Sequence, residues 1–404
     1  MEISLFNSDR ECYLWTRAEI EEAGFNFDNN DGIWNTTIKN HNIKLVTGNI
    51  TNGFTDKGFL ESDISELNVL LIRGALQNFN DGSPSFIDLL LQSIQKYSDK
   101  RFVIITKHPE DYWLDDSLMQ SDNLLLKIRD GYPNVRVIWD IDLPEYRPVF
   151  HFHPKMVFHH YHNNEAFSGG HVFENLVPVW KKLGRKKFRM GYHVSKVTTE
   201  LRKYLFRLFR DMNSPHLFFT YTKEFNHTPF DPTISIHSDN INGSKGLWYI
   251  KQFVDLTVES DMEVVYETST MGTPFVWLHK WTEKTIKLLM LGKPFIHADP
   301  IAHCLMRPFG MKPYETLYTP ELLSFYNGFD YKVAHLGFDG VDRDKWFCLL
   351  KGNIEWLLSL SEEEWNWRIE AAYRVADINQ THYKELVYNT SLLPLITSAE
   401  FWNV

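Results

Sequence analysis

The residues with the plainest chemical potential are Thr282, Glu283 and Lys284, which open a run ending in Gly292, Lys293, Pro294, Phe295 and Ile296. Thr282 sits where an N-cap belongs, its hydroxyl able to accept an orphan amide hydrogen of the next turn. Ile286, Leu288, Leu289, Met290 and Leu291 then leave almost no solvated face. The spacing predicts a buried helix with its polar residues gathered at the N-terminal end. Free amides and the positive end of the helix dipole attract phosphate there, and Lys284 adds a mobile charge. Glu283 would repel a phosphate but suits a neutral diol such as a ribose. A cation for a diphosphate and a carboxylate for a sugar in one turn are what a nucleotide-sugar donor needs. The same residues also suit a plain helix start, with Glu283 complementing the dipole and Lys284 a solvated flank. Residue types alone leave both open.

The flanking elements follow from local rules. Val264 to Tyr266 are β-branched or aromatic and suit a buried strand. Gly292 stands where a helix stops in the left-handed region, Pro294 cannot continue one, and Phe295-Ile296 restart an apolar strand. Upstream, Phe188 to His193 reads as a strand, Val194 to Thr199 as a polar loop, and a helix follows. That helix has Leu201, Leu205 and Leu208 inward and Arg202, Arg207 and Arg210 outward. Gly191 and His193, at a strand's exit, are candidates for binding a donor; on the residues alone Arg202 reads as a plain surface arginine.

The first half of the chain repeats the pattern. Ile43 to Val46, Asn68 to Ile72, Arg101 to Thr106 and Val135 to Trp139 read as strands, and Phe86, Leu89, Leu90 and Ile94 as the stripe of a helix capped by Ser83 and Pro84. The segment before Asn40 is polar and takes no clear element. The fold class this implies is α/β, with two Rossmann-like domains. Expected boundaries are an acceptor domain over 1–178, a donor domain over 179–375, and a segment 376–404 packing back on the first domain.

Asp140 and Asp142, with Asp111 and His108, fall at predicted strand C-ends, and Asp140/Asp142 is the pair chosen as general base for an acceptor hydroxyl. His151, His153, His159, His160, His162 and His171 form a cluster in which His151 and His153 share one face of a strand. Metal binding is one reading and hydrogen-bonded structural histidines the other, since no carboxylate or thiol completes a recognised spacing. The net charge of −10 argues against a sequence-independent DNA binder, although Lys181 to Arg189 and Arg202 to Arg210 concentrate positive charge. Three scattered cysteines, no apolar leader at Met1 to Arg10 and no apolar run of about 20 residues lead us to expect a cytoplasmic protein.

Tyr266-Glu267-Thr268-Ser269, then Thr282-Glu283-Lys284 and Gly292-Lys293-Pro294-Phe295-Ile296, resembles the donor motif of α-1,3-fucosyltransferases and related phage and giant-virus glycosyltransferases. The resemblance covers residues 264–296. It departs from the pattern at Thr268, where the family has Asn, and in the bulky loop Met271 to Lys280. It implies a GT-B enzyme with two domains facing a cleft, Lys284 on the diphosphate of a UDP- or GDP-linked sugar, Glu283 on its ribose and Glu267 near its sugar. Arg202 would also meet the diphosphate, and no metal would be required for the leaving group. Asn78, Phe79, Gly82, Pro84, Lys96, Tyr97 and Lys100, with Asp140-Ile141-Asp142-Leu143-Pro144, are similar to phage DNA β-glucosyltransferases. That likeness implies hydroxymethylated DNA bases as acceptor. A bacterial or viral glycan, or a non-catalytic protein binding nucleotide or carbohydrate, are the alternatives.

Overall fold

A computed structural model of the chain describes residues 1–7, 14–22, 34–38, 40–47, 61–73, 86–107, 128, 130–139, 149–156, 158, 186, 188–193, 200–220, 260–267, 281, 283–329 and 342–403. The chain divides into two compact units, 1–159 with 385–404 and 160–384. Each is built on a parallel sheet, which makes this an α/β protein of two Rossmann-like units.

The first unit holds strands β1 (Glu2–Asn7), β2 (Trp34–Ile38), β3 (His41–Thr47), β4 (Leu67–Arg73), β5 (Arg101–Lys107), β6 (Val135–Trp139) and β7 (Phe150–Phe152), in the order β2-β3-β1-β4-β5-β6-β7. Only β2 runs antiparallel to its neighbour. The N-terminal segment, which composition leaves unplaced, supplies β1, paired on both sides. Ile3 and Leu5 on one face and Phe6 on the other are buried, and buried Ser4 shares a 2.8 Å hydrogen bond with Ser65. Side chains of this size contribute roughly 1.5–3 kcal/mol each on burial, enough for a short strand to hold the centre of a sheet. Among the described side chains of the helix Phe86–Gln95, Leu90, Leu91, Ser93 and Ile94 are buried and Leu89 is half-buried, while the side chain of Phe86 lies outside them.

The last twenty residues belong to this unit. Leu392, Leu393, Ile396 and Phe401 join the core of Ile3, Leu5, Val69 and Val103. Two buried cations tie them down through backbone carbonyls. Lys155 Nζ donates to Trp15 O at 2.8 Å and Thr390 O at 2.6 Å, and Arg136 donates to Phe401 O at 3.1 Å and Trp402 O at 2.8 Å.

The second unit holds β8 (Phe188–His193), β9 (Leu217–Thr220), β10 (Ser260–Val265) and β11 (Phe295–His297), all parallel, in the order β11-β10-β8-β9. We label three of its helices α1 (Glu200–Met212), α2 (Glu283–Leu291) and α3 (Pro300–Cys304). Around them pack Pro320–Asn327, Arg343–Ser359 and Glu362–Lys384. Helix α2 ends as its sequence demands: Gly292 has φ +65° and Lys293 N donates back to Leu288 O at 3.0 Å. Ser361 caps the long helix, its Oγ accepting from Glu364 N at 3.2 Å. Among the described residues no helix is long and apolar enough to cross a membrane.

Candidate functional site

The chain leaves β8 toward β9 on one side, then crosses to β10 on the other, so the strand order reverses between β8 and β10. In open parallel sheets ligands bind outside the strand C-ends at such a reversal. His193 closes β8 there, and Tyr266 and Glu267 follow β10.

Arg202, in the first turn of α1, is the side chain whose placement differs most from its sequence reading. It is not on the outer face with exposed Arg207 and Arg210 but buried, its guanidinium 5.3 Å from the centre of the Tyr266 ring. A cation over an aromatic face is attracted by the ring's quadrupole, which offsets some of the cost of burial. Tyr192, one residue before the end of β8, stacks on Phe209 of α1 at 4.8 Å. Burial raises its hydroxyl's pKa well above the usual tyrosine value, while Arg202 nearby pulls the other way. Residues from β8, α1 and the exit of β10 thus converge on the reversal.

Glu267 is fully buried and reaches the first turn of α2. Its Oε1 accepts from Thr285 N at 3.3 Å and from the Thr285 hydroxyl in a short contact. An amide that the sequence offers to a phosphate is therefore taken by the chain's own carboxylate, which also complements the helix dipole. On its other side Thr285 Oγ1 lies 3.0 Å from His297 Nε2. With the hydroxyl proton given to Glu267, the His297 Nε2–H donates, which makes it the Nε2 tautomer. Complete burial holds the His297 pKa well below its usual value, with His303 adding to the effect, so the ring is neutral. Trp281 anchors the turn from the other end, its Nε1 donating to Ala302 O at 2.8 Å and its ring meeting Phe309 edge-on at 4.7 Å. Lys284 is therefore followed directly by a buried anchor at Thr285, and Trp281 is a buried anchor upstream. Lys284 itself is half-buried, and Glu283 begins α2.

Gly191 has a packing role in the sheet. A Cβ there would lie 2.5 Å from Glu263 Oε2 and 2.7 Å from Ser260 Oγ. The carboxylate it admits is paired with buried Lys293, Nζ to Oε1 2.7 Å, and both bond Ser260 Oγ. This cluster lies where β11 begins, away from the strand C-ends.

Sequence reasoning missed Thr285, His297, Glu263 and Lys293. The available signal was polarity inside apolar runs, since His297 follows Phe295-Ile296 and Glu263 precedes Val264-Val265. Asp140, Asp142, His108, Asp111, Thr282, Thr268 and the loop 271–280 lie outside the described residues, as do His159, His160, His162 and His171. The side chains of Glu283 and His193 also lie outside them. Of the histidine cluster, His151 packs on Phe401 at 4.3 Å. His153 Nδ1 accepts from Lys155 N at 3.2 Å, and burial with nearby Lys155 lowers its pKa to about 4. No group of three or more metal-ligating side chains occurs among the described residues.

The sheets and the strand order define an α/β protein whose second unit has a topological reversal between β8 and β10. No family model matches the sequence, and no curated protein matches it. Among solved structures the chain is similar to WaaG, a glycosyltransferase involved in lipopolysaccharide biosynthesis, at 8% identity with a TM-score of 0.31, over 87% of this chain and 94% of that one. A likeness this loose bears on neither the site nor the activity, and the fold class stands on the topology above.

Proposed function

We propose that the protein is a glycosyltransferase of GT-B type that takes its sugar from a UDP- or GDP-linked donor held at the β8/β10 reversal. The observation that supports this most is the burial of Arg202 against Tyr266 at the strand C-ends, one residue before the carboxylate that bonds Thr285 in the first turn of α2. In this reading Arg202 and Lys284 offset charge developing on the leaving diphosphate. Glu283 holds the ribose and Glu267 positions the turn. Asp140 or Asp142, which follow β6 in sequence, accepts the proton of the acceptor hydroxyl.

For the acceptor we carry forward hydroxymethylated DNA bases, which the phrases around Asn78–Pro84 and Asp140–Pro144 favour. The acidic net charge of −10 favours a glycan instead. Retention on DNA that weakens steeply with salt separates the two. A thermal-shift panel of nucleoside diphosphates and their sugars tests the donor reading. At least one is expected to raise the melting temperature, and indifference to all of them removes the reading. A binding protein without activity would shift yet release no free diphosphate from a sugar nucleotide.

A further inference from the structure

From the geometry of α2 we infer that Thr285 is a positioning residue for ligand binding, the middle of a buried relay running Glu267–Thr285–His297. The inference rests on the donor-site reading above and adds the device that holds that site in shape. Thr285 and His297 are buried and belong to separate elements, α2 and the end of β11, while Glu267 follows β10. One hydroxyl joins all three: it donates to Glu267 and accepts from His297 Nε2, and the Thr285 amide adds a second bond to the same carboxylate. Valine in its place keeps the shape and the amide but removes the hydroxyl, leaving a buried imidazole N–H with no acceptor and a carboxylate short of a donor.

His297 is itself fixed from behind. Its backbone N–H donates to the Tyr318 hydroxyl at 3.3 Å, and its carbonyl accepts from the Tyr326 hydroxyl at 3.1 Å. Tyr318 also lies 3.2 Å from His303 Nδ1. The far end of the relay is therefore rigid, and Thr285 transmits that rigidity to Lys284, its neighbour in the turn. Nothing in the relay needs to touch the ligand. Its effect is on where Lys284 starts from, and preorganisation of this kind changes affinity without adding a contact.

The test uses the full chain in four forms: unaltered, Thr285→Val, Thr285→Ser, and Arg189→Met. The last removes a buried bond at the opening end of β8 in the same unit, Arg189 Nη1 to Leu360 O at 2.7 Å. Amide hydrogen exchange over 283–287 and calorimetric titration with UDP and GDP are read together. The expected result is faster exchange in Thr285→Val alone and an affinity about tenfold weaker, both restored by serine, with Arg189→Met matching the unaltered chain in each even where its melting temperature falls as far. Equal affinity loss in Thr285→Val and Arg189→Met would show a merely structural role and overturn the inference, as would unchanged exchange in Thr285→Val. If the unaltered chain binds neither nucleotide, the donor reading fails and this inference with it, a result told apart because it appears without any substitution.

Discussion

In the seven-stranded sheet the buried cations Arg136 and Lys155 reach backbone carbonyls of the chain's last residues. In the four-stranded unit Arg189 makes a similar tie, Nη1 to Leu360 O at 2.7 Å, but buried Lys293 pairs with the Glu263 carboxylate, and Arg202 lies over Tyr266. A cation on carbonyls ties one segment to another and asks little of sequence elsewhere. A cation facing a carboxylate or a ring depends on a specific partner across the sheet. The second arrangement is costly to build and fragile to single substitutions, because removing either partner strands a buried charge. The four-stranded unit thus carries, in Glu263–Lys293, an interior pair committed to two particular side chains, and its C-terminal edge carries the candidate site.

The largest effect that would sharpen this contrast is expected from Lys293→Met, which leaves Glu263 buried without its ammonium. Urea unfolding should show a loss of about 3–5 kcal/mol, mostly recovered in the double substitution with Glu263→Leu. A small loss in the single variant would break the contrast, since the pair would then matter no more than a carbonyl tie.

Acid comes next. Burial lowers the pKa of His303 to about 4 and that of His297 well below its usual value, whereas in the first unit His153 falls to about 4. Each folded pKa lies below the unfolded value, so the unfolded chain binds more protons. Stability therefore holds above pH 7 and falls as pH drops from about 6.5 toward 4, by up to roughly 3 kcal/mol for His303. His41 of the first unit is also lowered, by burial and the nearby terminal amine, but it is only partly buried. With two deeply buried histidines against one, the four-stranded unit should exchange its amides first as pH is lowered, and the reverse order would contradict the comparison.

Gly191→Ala should cost about 1–3 kcal/mol, because the new methyl meets the Glu263 carboxylate rather than open space. Thermal unfolding measures it, and an unchanged melting temperature would mean the carboxylate can move aside. The smallest global effect is expected from Lys155→Met, about 1–2 kcal/mol. Limited proteolysis should cut 385–404 faster while leaving nucleotide binding untouched. A loss of binding would mean that the carbonyl ties reach the site.

The strand–helix–strand over 260–297 is legible in sequence because its signals are local: β-branched residues, an apolar helical run, and Gly292 at a left-handed stop. What escapes the sequence is set by register and distance. Glu263 and Lys293 meet only because β10 and β11 align Glu263 with Phe295. Arg202 has the periodicity of an outward residue, and Tyr266, far along the chain, offsets some of the cost of its burial. Strand β1 was hidden by Glu2, Ser4 and Asn7, whose polarity masks a segment that the sheet pairs on both edges. The same limit applies to Glu267, readable as a donor contact from its motif and placed by the fold against Thr285.

The central claim is that the β8/β10 reversal, with Arg202 and Lys284, holds a nucleoside diphosphate. Calorimetric titration of the full chain with UDP and GDP, beside Lys284→Ala, tests it most directly. The account predicts saturable binding of at least one nucleotide, weakened by about tenfold or more in Lys284→Ala at an unchanged melting temperature. Binding of equal strength in both proteins, or none in either, would contradict it.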